Sequence, residues 1–103
     1  MVDAVAVGLA LGLAPALEET VFRAGLQELL LRRGAPAALS VLLTAAAFAA
    51  AHALWRPGPW AWATGGPALL LGGVYLRTRR LGPCIALHAL FNALWWGVLR
   101  PLV

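Results

Sequence analysis

Residues 36–54, PAALSVLLTAAAFAAAHAL, run for 19 positions without Asp, Glu, Lys or Arg. A helix needs about 20 apolar residues to cross the hydrocarbon core of a bilayer. Three more apolar segments flank this one, at residues 4–31, 60–76 and 81–99. None of the four alternates at strand period. The sequence therefore predicts an all-α, polytopic membrane helix bundle of about four transmembrane helices.

The composition of the whole chain agrees with a lipid environment. Of its 103 residues, 62% are hydrophobic and 12% are charged, and the mean hydropathy is +0.83. A soluble domain is nearer half apolar and a quarter charged. We therefore expect a single integral membrane domain over residues 1–103, with the lipid bilayer as a partner. Pro15 is expected to divide the first segment with a kink or a fresh helix start, because proline is tolerated in the opening turn of a helix but breaks one from within.

Arginine accounts for all eight basic residues and predicts the orientation. In a four-span bundle, two linkers on one side hold five of them: Arg32, Arg33, Arg77, Arg79 and Arg80. The positive-inside rule makes that side cytoplasmic and places both termini outside. An Ala-, Leu- and Arg-rich chain without Lys is typical of a bacterial product, so we expect the bacterial inner membrane. The Arg residues are dispersed rather than aligned on one face, which argues against nucleic-acid binding.

Tryptophan marks the opposite side of the predicted bundle. The five Trp residues are Trp55, Trp60, Trp62, Trp95 and Trp96. In the predicted topology they all lie near the outer interface, where tryptophan is enriched in membrane proteins. An aromatic belt is the main interpretation, and a ligand platform is the alternative.

Polar side chains inside the segments are costly, at about 2.5–3.5 kcal/mol for a charge at the centre of a membrane helix. They are Glu18, Glu19, Arg23, Gln27, Glu28, His52, His88 and Asn92. Glu19 and Arg23 are four residues apart, so they share a helix face and can form a structural ion pair. Glu18 has no cation at its intrahelical partner positions, so it is a candidate functional carboxylate. His52 also suits an interfacial histidine, and His88 suits an interhelical hydrogen bond.

Three motifs organise these residues. They are EExxxR at residues 18–23, FxxxH at residues 48–52 and HxxxN at residues 88–92. In this order and on separate helices, they resemble the CPBP family of intramembrane proteases. That family includes the CAAX prenyl-protein endopeptidases and bacterial proteins described as abortive-infection or bacteriocin self-immunity proteins. The resemblance covers residues 18–92, most of the chain.

The resemblance implies a glutamate-dependent endopeptidase that acts on a protein or peptide substrate at the membrane. Glu18 would be the general base, with His52 helping to hold and activate the water. His88 and Asn92 would stabilise the oxyanion. The supporting residues would be Glu19, Arg23 and Phe48.

Several alternatives stay open at this point. No metal cofactor is expected, since the chain has no HExxH pair. Zinc bound by Glu18, His52 and His88 is the alternative, because three such ligands and a water form an acceptable catalytic set. A non-catalytic immunity or assembly protein and an ion-handling membrane protein are the competing functions. A homo-oligomer is also open, since Gly8 and Gly12 form a GxxxG pattern. The substrate is open between a C-terminal sorting signal and a bacteriocin-like peptide.

Overall fold

The computed structural model describes residues 3–102, which contain four helices and no strand. Their bounds are α1 Ala4–Arg32, α2 Ala37–Trp55, α3 Gly65–Thr78 and α4 Leu81–Leu102, with a short 3-10 turn at Trp62–Thr64. The predicted all-α bundle is confirmed. Three of the helices, α1, α2 and α4, are long and apolar enough to cross a membrane. The protein is an integral membrane protein.

Local sequence signals account for both ends of α1. The Asp3 side chain accepts a hydrogen bond of 2.7 Å from the backbone N–H of Ala6 and so caps the first turn. At the other end Gly34 adopts a φ of 89°, which glycine reaches without steric cost. The Ala35 N–H then bonds back to the Leu30 carbonyl at 3.0 Å, which closes the helix in a Schellman motif.

The prediction that a fresh helix starts at Pro15 is wrong, because α1 continues from Ala4 to Arg32. The turn before the proline is π-helical, and the Ala14 N–H bonds to the carbonyl of Leu9, five residues earlier. In that register the next donor is the nitrogen of Pro15, which has no hydrogen. Its acceptor would be the Ala10 carbonyl, and the Asn92 side chain donates to that oxygen instead, at 2.7 Å. A long-range hydrogen bond therefore satisfies the carbonyl that the proline leaves free.

The third apolar segment forms a shorter helix than the predicted span over residues 60–76. Helix α3 has 14 residues, and at 1.5 Å per residue it is about 21 Å long, less than the ~30 Å hydrocarbon core. The Pro57-Gly58-Pro59 stretch keeps the chain out of a regular helix. The following residues turn before α3 begins. Helix α3 still carries the chain back along α2 to the start of α4.

The bundle is apolar outside and polar inside along α1. On its outward face, Leu13, Leu17 and Val21 are 54%, 58% and 61% exposed. Its inward face buries three polar side chains completely: Glu19, Arg23 and Gln27. This reverses the distribution in a soluble domain and suits a helix whose outer face contacts lipid.

Small residues let α2, α3 and α1 approach one another closely. A Cβ added to Gly72 on α3 would lie 2.9 Å from a Val41 methyl group on α2, so a larger residue there would force Val41 to shift. The buried apolar cluster beside it consists of Ala45, Phe48 and Ala68, with Phe22 packed against it. This packing holds α2, which carries His52, against α1, which carries Glu18.

A polar cluster joins α1 and α3 at one end of the bundle. The Glu28 carboxylate accepts hydrogen bonds from the Tyr75 hydroxyl, from Arg79 and, at 3.2 Å, from Arg32. Arg79 follows α3 in a left-handed conformation, with φ at 52°, and its hydrogen bond to Glu28 raises the pKa of the guanidinium. The two arginine-rich linkers therefore lie at the same end of the bundle, as the four-span topology predicts.

Candidate active site

Helices α1, α2 and α4 bring one carboxylate and two imidazoles together. His52 Nε2 lies 3.2 Å from Glu18 Oε1, and His88 Nε2 lies 4.0 Å from Glu18 Oε2. The Glu18 and His52 side chains are 29% and 27% exposed, whereas His88 is 6% exposed. The three groups thus form a site with one buried wall and one open side. A water molecule can bridge polar atoms that are 4.0 Å apart.

Glu19 faces away from this opening into the bundle. Its Oε1 accepts a hydrogen bond of 2.9 Å from Arg23 Nε, and its Oε2 lies 2.7 Å from His88 Nδ1. Both Glu19 and Arg23 are completely buried. The ion pair that the spacing of four residues predicts is present. Glu19 also orients His88, a contact across 69 residues of sequence that the ion pair alone does not predict.

The hydrogen bonds determine where the protons of the two imidazoles lie. His52 Nδ1 is 2.9 Å from the Phe48 carbonyl oxygen, which can only accept, so Nδ1 carries a hydrogen. A hydrogen bond between His52 Nε2 and Glu18 then needs one further proton on either partner. The distance of 3.2 Å leaves room for one shared proton between the two atoms. His88 Nδ1 likewise donates to Glu19, because a carboxylate paired with Arg23 is an acceptor.

Phe48 packs against both histidines. Its ring centroid is 4.3 Å from that of His52 and 5.8 Å from that of His88, where the contact is edge-on. Phe22 closes the other side of the Phe48 ring with a T-shaped contact at 5.0 Å. Phe48 is only 3% exposed. Such close packing leaves each imidazole few alternative rotamers, so Phe48 supports the geometry of the site.

Asn92 lies one helical turn beyond His88 on α4. Its Nδ2 donates to the Ala10 carbonyl on α1, as described for the continuation past Pro15. An amide nitrogen carries two hydrogens, and this bond uses one of them. The Asn92 side chain is half-buried rather than enclosed. The structure thus shows a structural contact for Asn92 and leaves its second N–H for another acceptor.

Gln27 is part of the buried network, although the predicted site residues did not include it. Its Oε1 accepts from Arg23 at 3.4 Å and its Nε2 donates to the Gly72 carbonyl at 3.1 Å. Arg23 also donates to the Ala68 carbonyl at 3.2 Å. The chain of contacts runs from α3 through α1 to His88. The sequence shows that Gln27 lies four residues after Arg23, but it does not show that Gln27 binds the Gly72 carbonyl on α3.

The donor set for zinc does not fit as it stands. Within residues 3–102 no group of three His, Cys, Asp or Glu side chains is arranged to hold a metal ion. No step of the chemistry described below passes through a metal.

Residues 2–94 match the type II CAAX prenyl endopeptidase Rce1-like family. The chain belongs to this family. Comparisons with curated proteins and with solved structures gave no match. The family confirms the resemblance based on the three motifs. It also identifies the chain in general terms as a CAAX-type intramembrane protease, within which the site around Glu18 is the candidate catalytic centre.

Proposed function

We propose that this protein is an endopeptidase that hydrolyses peptide bonds of membrane-associated proteins or peptides at the site around Glu18. The observation that carries the proposal is the contact of 3.2 Å between Glu18 and His52, with His88 beside it inside a membrane bundle. A carboxylate in a helix that spans a membrane is costly unless it has a function or a partner. Here its partner is a second proton-transfer group.

The number of protons that the Glu18–His52 pair can hold suits general base catalysis. With one proton shared in the proposed resting state, the pair can accept a second from a water molecule as the water oxygen attacks the peptide carbonyl. The pair then holds two protons, as imidazolium and carboxylic acid. Donation of one proton to the leaving amine nitrogen breaks the C–N bond and restores the resting state. No other group is needed to balance this cycle.

Two donors would stabilise the negative charge that develops on the carbonyl oxygen. The second N–H of Asn92 is one. His88 is the other, and it can donate from Nε2 only as an imidazolium, because Nδ1 already donates to Glu19. Glu19, Arg23 and Phe48 would therefore act on the reaction by positioning His88 and His52.

Peptide profiling tests this function without a known substrate. Membranes from cells that produce the wild-type protein are compared with membranes that contain Glu18→Gln, a variant of the same size without the base. We expect peptides that depend on Glu18 and that end at a defined bond. Identical peptide sets at equal protein levels would contradict protease activity and favour the non-catalytic immunity or assembly function. Their terminal residues would distinguish a sorting signal from a bacteriocin-like substrate.

We also propose that the linkers at Arg32-Arg33 and Arg77–Arg80 face the cytoplasm of a bacterial cell, with the protein in the inner membrane. Support comes from the positive-inside rule and from the contact of Glu28 with Arg79, which places both linkers at one end. Arg33→Cys and Gly58→Cys, each combined with Cys84→Ala, test the orientation. A membrane-impermeant thiol reagent added to intact cells should label the second variant alone. Labelling of the first would reverse the topology.

A further inference from the structure

A cleft of about 490 Å³ lies at the end of the bundle opposite the arginine-rich linkers. It is lined by Trp60, Trp95, Trp96, Arg100 and Pro101. The ring centroids of Trp60, which precedes α3, and Trp95, on α4, are 5.6 Å apart. These two rings are therefore gathered at one place, beside Trp96. The gathering favours a binding platform.

Arg100 gives the cleft a positive charge. Its guanidinium carbon lies 4.6 Å from the centroid of the Trp96 ring, so the side chain folds back over the cleft. None of the ion pairs within residues 3–102 includes Arg100. The chain has four acidic residues, and each has another role: Asp3 caps α1, and Glu18, Glu19 and Glu28 bind other side chains.

The position in the membrane identifies the anion. Arg100, Trp95 and Trp96 lie in the last turns of α4, where a spanning helix reaches the headgroup region. Phosphate is the anion present at that depth in every phospholipid bilayer, and a guanidinium can donate two parallel hydrogen bonds to it. Tryptophan rings suit the same depth, because they are apolar with one N–H donor. We propose that this cleft binds the phosphate of a phospholipid headgroup, held by Arg100 over the Trp96 ring.

Lipid binding to purified protein tests the proposal. The protein is prepared in a maltoside detergent, which has no phosphate, and bound lipid is counted by native mass spectrometry. The probes are dihexanoyl-phosphatidylglycerol, dihexanoylglycerol without the phosphate, and inorganic phosphate as a competitor. We expect the phosphatidylglycerol to bind, the diacylglycerol to bind much more weakly, and inorganic phosphate to compete poorly because it lacks acyl chains.

Arg100→Gln and Arg33→Gln form a matched pair of variants. Both residues are exposed arginines outside any ion pair of residues 3–102, but Arg33 lies at the other end of the bundle. Arg100→Gln should weaken phosphatidylglycerol binding about 10- to 100-fold, as expected when a charge-assisted hydrogen bond is lost, whereas Arg33→Gln should not. Trp96→Leu should also weaken phosphatidylglycerol binding. This second variant tests the site if the circular dichroism of Arg100→Gln shows that it has not folded.

Three results would overturn the proposal. Equal loss in the Arg33 and Arg100 variants would mean general charge attraction without a specific site. Equal binding of the lipid without phosphate would make the cleft an acyl-chain site. If inorganic phosphate, at the same concentration as the phosphatidylglycerol, displaced all of the bound lipid, the cleft would be a site for free anions. None of these measurements uses peptide cleavage, so the proposal stands or fails separately from the proposed function.

Discussion

Glu19→Gln is the substitution that the buried network makes most informative. Glu19 and Arg23 are both completely buried, and the carboxylate contacts Arg23 at 2.9 Å and His88 at 2.7 Å. Gln keeps only one oxygen, so either Arg23 or His88 must face the amide NH₂ of the new side chain instead of an acceptor. The charge of Arg23 also loses its counterion. Breaking a buried ion pair from one side costs about 3–5 kcal/mol. The unfolding equilibrium should therefore shift by roughly two to four orders of magnitude.

The assay is reversible unfolding of the purified protein in mixed micelles of detergent and dodecyl sulfate, followed by circular dichroism. Glu28→Gln is the matched control, since it makes the same change on the same helix. Glu28 pairs with Arg32 and Arg79, whose side chains are 77% and 51% exposed. Solvent can replace these contacts, so we expect a smaller effect than for Glu19→Gln.

A double variant separates loss of charge balance from loss of shape. Glu19→Gln combined with Arg23→Met removes both charges and should recover part of the stability that the single variant loses. The reasoning about the buried pair would be refuted if Glu19→Gln unfolded within about 1 kcal/mol of the wild type, the scale of an exposed pair. It would also be refuted if the double variant were no more stable than the single one.

Glu18→Gln and His52→Ala should each abolish cleavage, because either variant removes half of the proton-sharing pair. The unfolding curves of both variants should stay close to the wild-type curve, since both side chains are partly exposed. Cleavage near the wild-type rate in either variant would reject the pair as the base. Asn92→Ala should lower kcat by about 100- to 1000-fold, the cost of one oxyanion donor. It should also destabilise α1, because the Ala10 carbonyl loses its donor. A loss of stability with unchanged kcat would mean that Asn92 has the structural role alone. A chelator should change the rate little, whereas loss of activity with recovery on adding zinc would establish the metal-dependent alternative.

Local features of the chain predict a large part of the fold. Hydropathy depends on short stretches of sequence, so the apolar segments that form α1, α2 and α4 could be recognised directly. The cap at Asp3 and the left-handed Gly34 are also local signals. The pair of Glu19 and Arg23 follows from helical spacing alone. The three motifs likewise predicted the family to which the chain belongs.

Contacts between distant segments required the tertiary structure. His88 binds Glu19 across 69 residues of sequence, and no local pattern indicates which of the two adjacent carboxylates it meets. Gln27 donates to a backbone carbonyl, which every residue possesses, so its partner Gly72 has no sequence signature. Side-chain bonds to backbone atoms are common in proteins and are specified by packing.

Pro15 shows the same division within a single helix. The sequence by itself determined that the backbone lacks a donor at that position, and this led to the prediction of a break. Only the packing of α4 against α1 decided otherwise, because it brings the Asn92 amide to the Ala10 carbonyl at 2.7 Å. In a membrane interior an unpaired carbonyl is costly, so the helix continues where a neighbouring helix supplies the missing donor.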